Sequence, residues 1–326
     1  MSVAYGFHMS RIQRICITGA NGFIGSHLTR RLCEADYDVG IISRRDPQPV
    51  SVLDSGNNPS VFHGDIRDYE SIYGIFATFR PDCIIHLATY YAVEHKPDEL
   101  GVMVDTNVKG TINLLEAAKN LQIAKFINTS SCAVYEPGSI PLSEDNTIRP
   151  QNLYALTKAH AEEACLFYAG NYGVDTVTLR LFPPYGPGDH ERRLIPYVIK
   201  SLSVGTSPAL TTGTQKWDFV YVDDIVNAYL AVLGNLVSFK GHQIFNIGTG
   251  RPYSIREVVE RIRAIVSPST ELSWGTVPHR KNEVWFNSGN VARAHAVLNW
   301  EPRTGIDEGL SRTIAWFTKK WKDGNA

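Results

Sequence analysis

The chain has 326 residues, of which 43% are apolar and 20% charged, and its formal net charge is −1. This composition is typical of a globular protein, and the near-neutral charge provides no broad basic field for nucleic acid or an acidic membrane surface. No apolar run approaches the roughly 18 residues that cross a bilayer. The first residues lack a signal-peptide pattern, and the five cysteines show no paired spacing. We therefore expect a cytoplasmic protein with reduced cysteines and no nucleic-acid or membrane partner.

Short apolar runs alternate with helical patterns through the first half of the chain. The runs are rich in Val and Ile and predict strands at 14–19, 38–43, 60–66, 82–89, 125–131 and 175–182. Helices are predicted at 23–35, 68–79, 104–120 and from Asn152 onward. Strands and helices that alternate in this way form a parallel sheet covered on both faces. We therefore predict an α/β protein with a Rossmann-type doubly wound parallel sheet.

The alternation ends at Phe182, where a loop rich in Pro and Gly indicates a domain boundary. Beyond it, the patterns predict a strand able to return to the main sheet at 242–248, and helices at 194–202, within 218–233, at 254–266 and at 305–321. We expect residues 1–182, with 214–248 returning to them, to form a dinucleotide-binding domain. Residues 183–213 and 249–326 are expected to form a smaller C-terminal α/β substrate-binding domain.

The stretch GANGFIG places Gly19, Gly22 and Gly25 between the first strand and the first helix. In a dinucleotide-binding turn, the first glycine permits a tight turn and the second lets the backbone approach a pyrophosphate. The third lets the helix pack closely against the strand. The spacing is GxxGxxG rather than the more common GxGxxG, but its strand–turn–helix context favours dinucleotide binding over an ordinary tight turn.

The end of the second predicted strand distinguishes between the two nicotinamide dinucleotides. NAD sites place a carboxylate there for the ribose 2′-hydroxyl, whereas NADP sites place an arginine near the 2′-phosphate. The sequence reads Ser43-Arg44-Arg45, so NADP(H) is favoured and NAD(H) is the alternative. In that alternative both arginines are solvated and Asp46 supplies the carboxylate.

Two further segments are predicted to border the cofactor. Asp65 and Ile66 follow the third strand and are placed beside the adenine, and the run HLAT (86–89) is placed at the floor of the site. His86 lies within an apolar strand, so we expect a hydrogen-bonded core histidine rather than a catalytic one.

Tyr154 and Lys158 lie four residues apart in the stretch NLYALTK, on one face of a predicted helix. Many helices carry such a pair without chemical consequence, and a hydroxyl at a strand end, such as Ser131, is equally common. Their joint presence behind a dinucleotide-binding turn favours a chemical role.

The motifs GxxGxxG, GDIRD, HLAT, NTSSCAVYE, YALTK and YGPGD occur in this order and together resemble the extended short-chain dehydrogenase/reductase family, which acts on nucleotide sugars. The resemblance extends from about Arg14 to about Trp316. It implies that Ser131, Tyr154 and Lys158 are the catalytic residues and that a nucleoside-diphosphate sugar is the substrate. It also implies a homodimer formed through helices 104–120 and 152–170.

Two sets of residues complete the predicted site. The cofactor is expected to contact Gly19, Gly22, Phe23, Ile24, Gly25, Ser43, Arg44, Arg45, Asp65, Ile66, Leu87, Ala88, Thr89, Asn107, Tyr154 and Lys158. The substrate is expected to contact Tyr90, Ser131, Arg193, Trp217 and Arg280, with Tyr91 helping to shape the pocket. No metal site is predicted, because His190 has no second histidine at helical spacing.

Hydride transfer explains why these residue types occur together. A carbonyl that accepts hydride becomes an alkoxide and needs a proton, but a tyrosine with its ordinary pKa near 10 is a poor base at neutral pH. A nearby lysine cation favours the phenolate and lowers that pKa. Tyr154 is thus expected to carry the proton, Ser131 to bind the substrate oxygen, and Lys158 also to hold the nicotinamide ribose.

The position after Ser131 departs from one branch of the family. Its 4,6-dehydratases carry an Asp-Glu pair directly after the residue that corresponds to Ser131, because removal of water needs an acid and a base. This chain has Cys132-Ala133 instead, which argues against a dehydratase.

Two substrate positions also depart from the family pattern. Pro183 replaces the usual asparagine before the YGPG motif, and Trp217 replaces the usual arginine before Asp-Phe. Trp217 has either a packing role or a stacking role against a substrate ring. We expect Arg193 or Lys216 to supply charge instead, beside Arg280, which matches the diphosphate-binding arginine of the family.

Three functions fit these observations. The favoured one is an NADP(H)-dependent reductase of a nucleoside-diphosphate-linked 4-keto(-6-deoxy) sugar, with Tyr154 as the proton donor. The alternative is an NAD-dependent nucleotide-sugar epimerase that uses the same three residues. A non-catalytic dinucleotide-sensing protein is disfavoured, because such proteins often lose the tyrosine or the lysine and this chain keeps both.

Overall fold

The computed structural model describes residues 12–44, 58–92, 94–138 and 140–324. Its strands are β1 (Arg14–Thr18), β2 (Asp38–Ser43), β3 (Ser60–His63), β4 (Cys83–His86), β5 (Lys125–Ser131), β6 (Asp175–Leu181), β7 (Pro184–Tyr185), β8 (Lys216–Trp217), β9 (Val220–Tyr221), β10 (His242–Ile247), β11 (Tyr253–Ser254) and β12 (Phe286–Asn287). Its α-helices are α1 (Phe23–Glu34), α2 (Tyr69–Phe79), α3 (Leu100–Val104), α4 (Gly110–Asn120), α5 (Leu153–Tyr172), α6 (Leu194–Ser203), α7 (Val222–Asn235), α8 (Ile255–Val266), α9 (Ala292–Leu298) and α10 (Ile306–Lys322).

Seven strands form one parallel sheet in the order β10-β6-β5-β4-β1-β2-β3. The chain proceeds outward from β1 to β3 on one side and from β4 to β10 on the other, so a crevice opens where the carboxyl ends of β1 and β4 diverge. The predicted doubly wound fold is confirmed. β10 pairs with β6, His242 lying opposite Thr176, so the strand predicted at 242–248 does return to the main sheet.

Alternate strand residues supply apolar cores on the two faces of this sheet. On one face Ile17 packs with Leu28 of α1 and Tyr229 of α7. On the other face Cys16 packs among side chains of α2, α4 and α5, including Phe76. Both faces are therefore covered by helices, as the continuous Val- and Ile-rich runs predict.

The later part of the chain contributes a third apolar core. Tyr185, Phe219 and Phe317 lie at its centre, surrounded by α6, α8 and α10. A Cβ atom at Gly309 would lie 2.1 Å from the Tyr185 hydroxyl, so α10 approaches that ring as closely as only a glycine permits. β8 pairs with β11 and β12, and β7 pairs with β9. The domain boundaries stay a prediction.

Several elements end earlier or begin earlier than predicted. β4 ends at His86: Leu87 N–H makes the last ladder bond, to the Thr18 carbonyl of β1, and Ala88 N–H then donates to the Thr18 hydroxyl instead of a backbone carbonyl. The helix predicted at 104–120 begins at Leu100 as α3 and passes through a π-helical turn, Asp105–Lys109, into α4. Among the described residues, no helix has the length and apolarity to cross a bilayer.

Candidate active site

One cavity of about 1460 Å³ occupies the crevice at the carboxyl ends of the strands. Pockets for a single drug-sized ligand typically measure about 300–1,000 Å³, so this cavity has room for two ligands end to end. The turn after β1 and the loops after β2 and β4 line one part of it, and residues from α6, β8 and β12 line the other.

The turn between β1 and α1 has the geometry that its three glycines allow. Gly19 has a φ of +75°, and a Cβ there would lie 2.6 Å from the backbone nitrogen of Ala88. Gly22 is the N-cap of α1, so the amides at the start of that helix point toward the cavity. A Cβ at Gly25 would lie 2.1 Å from the Gly19 carbonyl oxygen. Phe23 and Ile24 also line the cavity.

The end of β2 brings both polar and cationic groups to the same region. Ser43 accepts a hydrogen bond from the Asn21 amide at 3.0 Å, and Arg44 is an exposed residue on the cavity wall. The predicted contact at Arg45 lies outside the described residues. Asp65 also lines the cavity, and its hydrogen bonds from Arg67 lower the pKa of its carboxyl group. Arg44 is therefore the described cation nearest in sequence to the end of β2.

The loop after β4 provides the floor of the cavity. Leu87, Ala88 and Thr89 line it together with Ile66. His86 does not: it is buried, its two ring nitrogens contact the hydroxyls of Thr18 and Thr111, and burial lowers its pKa to about 3. The prediction of a hydrogen-bonded core histidine is confirmed.

Asn107 lies behind the cavity wall, in the π-helical turn. Its side-chain oxygen accepts from Tyr90 N–H and the Thr89 hydroxyl, and its nitrogen donates to the Tyr90 carbonyl and the Thr157 hydroxyl. These four bonds use the full capacity of the amide. Asn107 therefore holds the loop after β4 against α5, and its predicted cofactor contact stays a prediction.

Ser131, Tyr154 and Lys158 meet on one stretch of the cavity wall. Ser131 ends β5, where its hydroxyl accepts from Ala133 N–H at 3.2 Å. Tyr154 and Lys158 lie one turn apart on α5, a helix capped by the side chain of Asn152, and both are buried. The predicted constellation is thus assembled from two elements that are neighbours in the fold.

Burial dominates the protonation of this constellation in the protein alone. It raises the pKa of Tyr154, an effect that the nearby Tyr91 adds to and that Ser131 and Arg193 oppose. Burial lowers the pKa of Lys158 to about 8, and the charge of Glu162 acts in the opposite direction. Within the described part of the chain, the Lys158 ammonium has no hydrogen-bond acceptor, so it is available to a ligand in the cavity.

Not every predicted substrate residue lines the cavity. Arg193, Trp217 and Arg280 line the cavity. Tyr90 does not, since its hydroxyl turns away to donate to Glu99 at 2.8 Å. Tyr91, which was expected to help shape the pocket, lines the cavity with its ring 4.9 Å from that of Tyr154 in an edge-on arrangement.

The two departures from the family pattern have distinct geometries. The Trp217 indole donates to the Val284 carbonyl at 2.9 Å and packs beside Phe219, so packing and cavity lining coincide in one residue. Pro183 lies on the wall near Tyr185. Neither residue brings a charge, and the cations on this side of the cavity include Arg193 and Arg280.

The polar residues that line the cavity but were not predicted as contacts include Asn21, Gln215 and Asn287. Asn21 lies inside the glycine motif, and its amide position could have been noticed there. Gln215 is buried, with a side-chain oxygen that has no partner among the described residues. Asn287 donates to the Cys132 sulfur at 3.1 Å across 155 positions of sequence, and no local pattern signals such a contact. The described residues include no cluster of three or more groups that could hold a metal ion.

Comparison with known proteins places these motifs in a family. A sequence model described as the NAD dependent epimerase/dehydratase family matches residues 15–248. The UDP-glucuronate 4-epimerase of Thermodesulfobacterium geofontis is 30% identical over 92% of this chain and 94% of its own length. The CDP-abequose synthase of Salmonella typhimurium is 31% identical over 91% and 97%. A Bacillus cereus UDP-glucuronic acid 4-epimerase, solved with UDP-glucuronic acid and NAD, superimposes with a TM-score of 0.84 at 26% identity, covering 94% of this chain and 99% of that protein.

Proposed function

The chain belongs to the NAD dependent epimerase/dehydratase family, and from that membership we propose that it is an NAD-dependent nucleotide-sugar epimerase. The observation that carries the proposal is the meeting of Ser131, Tyr154 and Lys158 in the same cavity as the glycine turn. This arrangement suits oxidation of a sugar hydroxyl followed by return of hydride to the other face of the ketone. Such a cycle inverts one carbon and consumes no cofactor.

The comparisons support epimerisation better than the 4-keto-sugar reduction that the sequence favours. The T. geofontis relative and the B. cereus neighbour are both named as 4-epimerases. Reduction is the second candidate, because a relative of similar identity is named CDP-abequose synthase and because Pro183 and Trp217 alter the substrate side of the cavity.

We propose NAD(H) as the cofactor, since the NADP(H) preference inferred from Arg44 and Arg45 finds no support among the neighbours and the B. cereus structure contains NAD. The residues fit a dinucleotide: the Gly19 and Gly25 positions admit no Cβ, and the Lys158 ammonium faces the cavity without a hydrogen-bond partner among the described residues. Bound NAD supplies a hydride acceptor whose charged ring also favours the Tyr154 phenolate. Ser43, at the end of β2, would hold the 2′-hydroxyl of its adenosine ribose.

Each residue of the site has a separate role in the proposed reaction. The amides at the start of α1 hold the pyrophosphate, and Lys158 donates to the nicotinamide ribose. Ser131 donates to the oxygen on the reacting carbon, and Tyr154 removes the proton from that oxygen and later returns it. Because burial raises the pKa of free Tyr154, the positive charges of Lys158 and Arg193 are needed to make it a base.

We place the diphosphate of the substrate between Arg193 and Arg280. The Arg193 guanidinium makes one long contact, 3.3 Å, with Asp189, and Arg280 is 3.5 Å from the exposed carboxylate of Glu94. An exposed ion pair such as Arg280–Glu94 contributes only about 0–1 kcal/mol, so the diphosphate of the substrate can displace Glu94. Arg193 and Arg280 then supply the positive charge that the family's usual arginine would have supplied at the position of Trp217.

The test is incubation of the purified protein with NAD and a panel of UDP- and CDP-linked sugars, with products identified by NMR. The proposal predicts that one sugar equilibrates with its epimer at substoichiometric NAD. Stoichiometric oxidation of NADPH with a 4-keto sugar, and no epimer from any member of the panel, would establish the reductase instead.

A further inference from the structure

Three buried charged residues, Lys158, Glu162 and Arg180, lie between the cavity and the sheet behind α5. Lys158 is 3% exposed, Glu162 is 5% exposed and Arg180 of β6 is 3% exposed. Lys158 and Glu162 lie four residues apart on α5, so their side chains share one face of the helix. Buried charges are costly unless they are paired, and here an anion lies between two cations.

Hydrogen bonds hold the carboxylate of Glu162 in place between the two cations. Arg180 donates from Nε at 3.1 Å and from Nη2 at 2.6 Å to the two carboxylate oxygens, and the Ser130 hydroxyl donates to the same group. Arg180 in turn donates from Nη1 to the Glu144 carbonyl at 3.0 Å and lies 4.7 Å from the centre of the Tyr135 ring. The forked contact fixes the direction of the Glu162 carboxylate.

We propose that Glu162 is a positioning residue of the active site, which keeps Lys158 charged inside the cavity wall while Arg180 holds the Glu162 carboxylate in place. The Lys158 ammonium has no acceptor among the described residues, so the nearest buried anion on its own helix face supplies the compensating charge. Replacing that anion removes the compensation and leaves Lys158 and Arg180 as two buried cations. This role in catalysis rests on the proposed function of Lys158, whereas the charge state itself can be measured without substrate.

The other groups around Lys158 do not substitute for Glu162. The His86 ring on β4 is neutral, since burial lowers its pKa to about 3. The Cys165 thiol on α5 has its pKa raised by burial and is also neutral. His242 on β10 lies near Glu162 and Arg180, and burial lowers its pKa to about 4. Tyr154 is neutral in the protein alone, which leaves Glu162 as the anion.

The sign of the effect follows from the lowered pKa of Lys158. The ammonium is present below about pH 8 and is lost as the pH rises through that value. Loss of the Glu162 charge destabilises the ammonium, so the transition moves to lower pH, by about one unit for a nearby charge.

The experiment measures the charge of Lys158 directly in the full chain, without NAD or substrate. Trace acetic anhydride acetylates only the neutral amine, and peptide mass spectrometry gives the rate at Lys158 against pH, with exposed Lys240 as the internal reference. In Glu162→Gln we expect the midpoint to fall by about one unit and labelling at pH 7 to rise about fivefold. The matched control, Glu163→Gln, makes the same change at the next, exposed position and should leave the curve unchanged.

A second variant covers the case in which Glu162→Gln fails to fold around an unpaired Arg180. Glu162→Gln with Arg180→Met removes both buried charges, a replacement that proteins often tolerate. The proposal predicts the lowered Lys158 midpoint there as well, and a parallel loss of NAD binding at lower pH than in the unmodified protein. A Lys158 curve that coincides with that of the unmodified protein would overturn the proposal and leave Glu162 a purely structural partner of Arg180. Weak NAD binding at every pH with a shifted labelling curve would contradict the proposed function instead.

Discussion

Tyr154 is the residue on which the proposed chemistry depends, and it is the one group that must change its protonation state twice in each cycle. It reaches the cavity because Asn152 caps α5 and directs the first turn of the helix, with Tyr154 and Lys158, toward the end of β5. Its ring packs edge-on against Tyr91. Removal of its hydroxyl should therefore alter chemistry and leave the wall of the cavity intact.

Tyr154→Phe should lower kcat by about 10²–10⁴-fold, the usual contribution of a positioned acid–base group. NAD binding should persist, because the phenyl ring still contacts Tyr91. Steady-state kinetics and an NAD titration measure the two effects. Tyr172→Phe, at an exposed tyrosine on the same helix, is the control and should keep full activity. Unchanged kcat in Tyr154→Phe would refute the assigned role.

Arg44 provides a test of cofactor selection. Its guanidinium is exposed on the cavity wall, where it can pair with a 2′-phosphate but makes no required contact with a 2′-hydroxyl. Arg44→Ala should weaken NADP binding about tenfold, as for loss of one charged hydrogen bond, and leave NAD binding unchanged. Arg31→Ala, at an exposed arginine of α1, controls for net charge. An equal loss for both dinucleotides would contradict this role.

At the scale of elements, the turn between β1 and α1 depends on contact between backbones. Gly25→Ala would place a Cβ 2.1 Å from the Gly19 carbonyl oxygen, so α1 must move away from β1 and NAD binding should be lost. Gly74→Ala in α2 is the matched control, because a Cβ there meets no atom within 4 Å. It should raise stability by roughly 0.5–1 kcal/mol through helix propensity. Thermal melts with and without NAD measure both, and retained NAD binding in Gly25→Ala would contradict the close contact.

Sequence patterns predict the elements that are long enough to show a regular repeat of apolar residues. Val- and Ile-rich runs and 3.6-residue periodicity are sufficient for the seven-stranded sheet and its covering helices. They do not predict the π-helical turn that holds Asn107, because its extra residue is inserted into an otherwise regular helix. Nor do they predict β8 and β12, which are two residues long and pair across about 70 positions of sequence.

The same distinction holds for the site. Ser131, Tyr154 and Lys158 were predictable because each belongs to a local motif. The absence of Tyr90 from the described cavity wall was not, since it depends on the hydrogen bond between the Tyr90 hydroxyl and Glu99. Asn287 reaches the cavity only through the pairing of β12 with β8, which no short pattern encodes.

At the scale of the molecule, α3, α4 and α5 leave an apolar face exposed. Its residues are Leu100, Val104, Ile112, Leu156, Leu166, Phe167 and Tyr172. The homodimer predicted from sequence uses these helices, and association would bury this face. The dimer stays a prediction.

Phe167→Glu should convert that dimer to a monomer, since it places a charge at a half-exposed position within the apolar face. Light scattering at micromolar concentration should give twice the chain mass for the unmodified protein and one chain mass for the variant. Val204→Glu, at a more exposed apolar residue after α6, should leave the dimer intact. A monomeric unmodified protein would rule out the predicted association.

In the proposed epimerisation, hydride leaves one carbon of a nucleotide sugar and returns to the same carbon. The most direct measurement uses UDP-glucose and UDP-glucuronic acid deuterated at C4, with NAD below stoichiometric amounts, and follows the product by NMR. Epimerisation should give a 4-epimer of one of these sugars that retains deuterium at C4, with no accumulation of reduced cofactor and no epimer from Tyr154→Phe. Washout of the label, or no epimer together with stoichiometric use of NADPH on a 4-keto sugar, would contradict it.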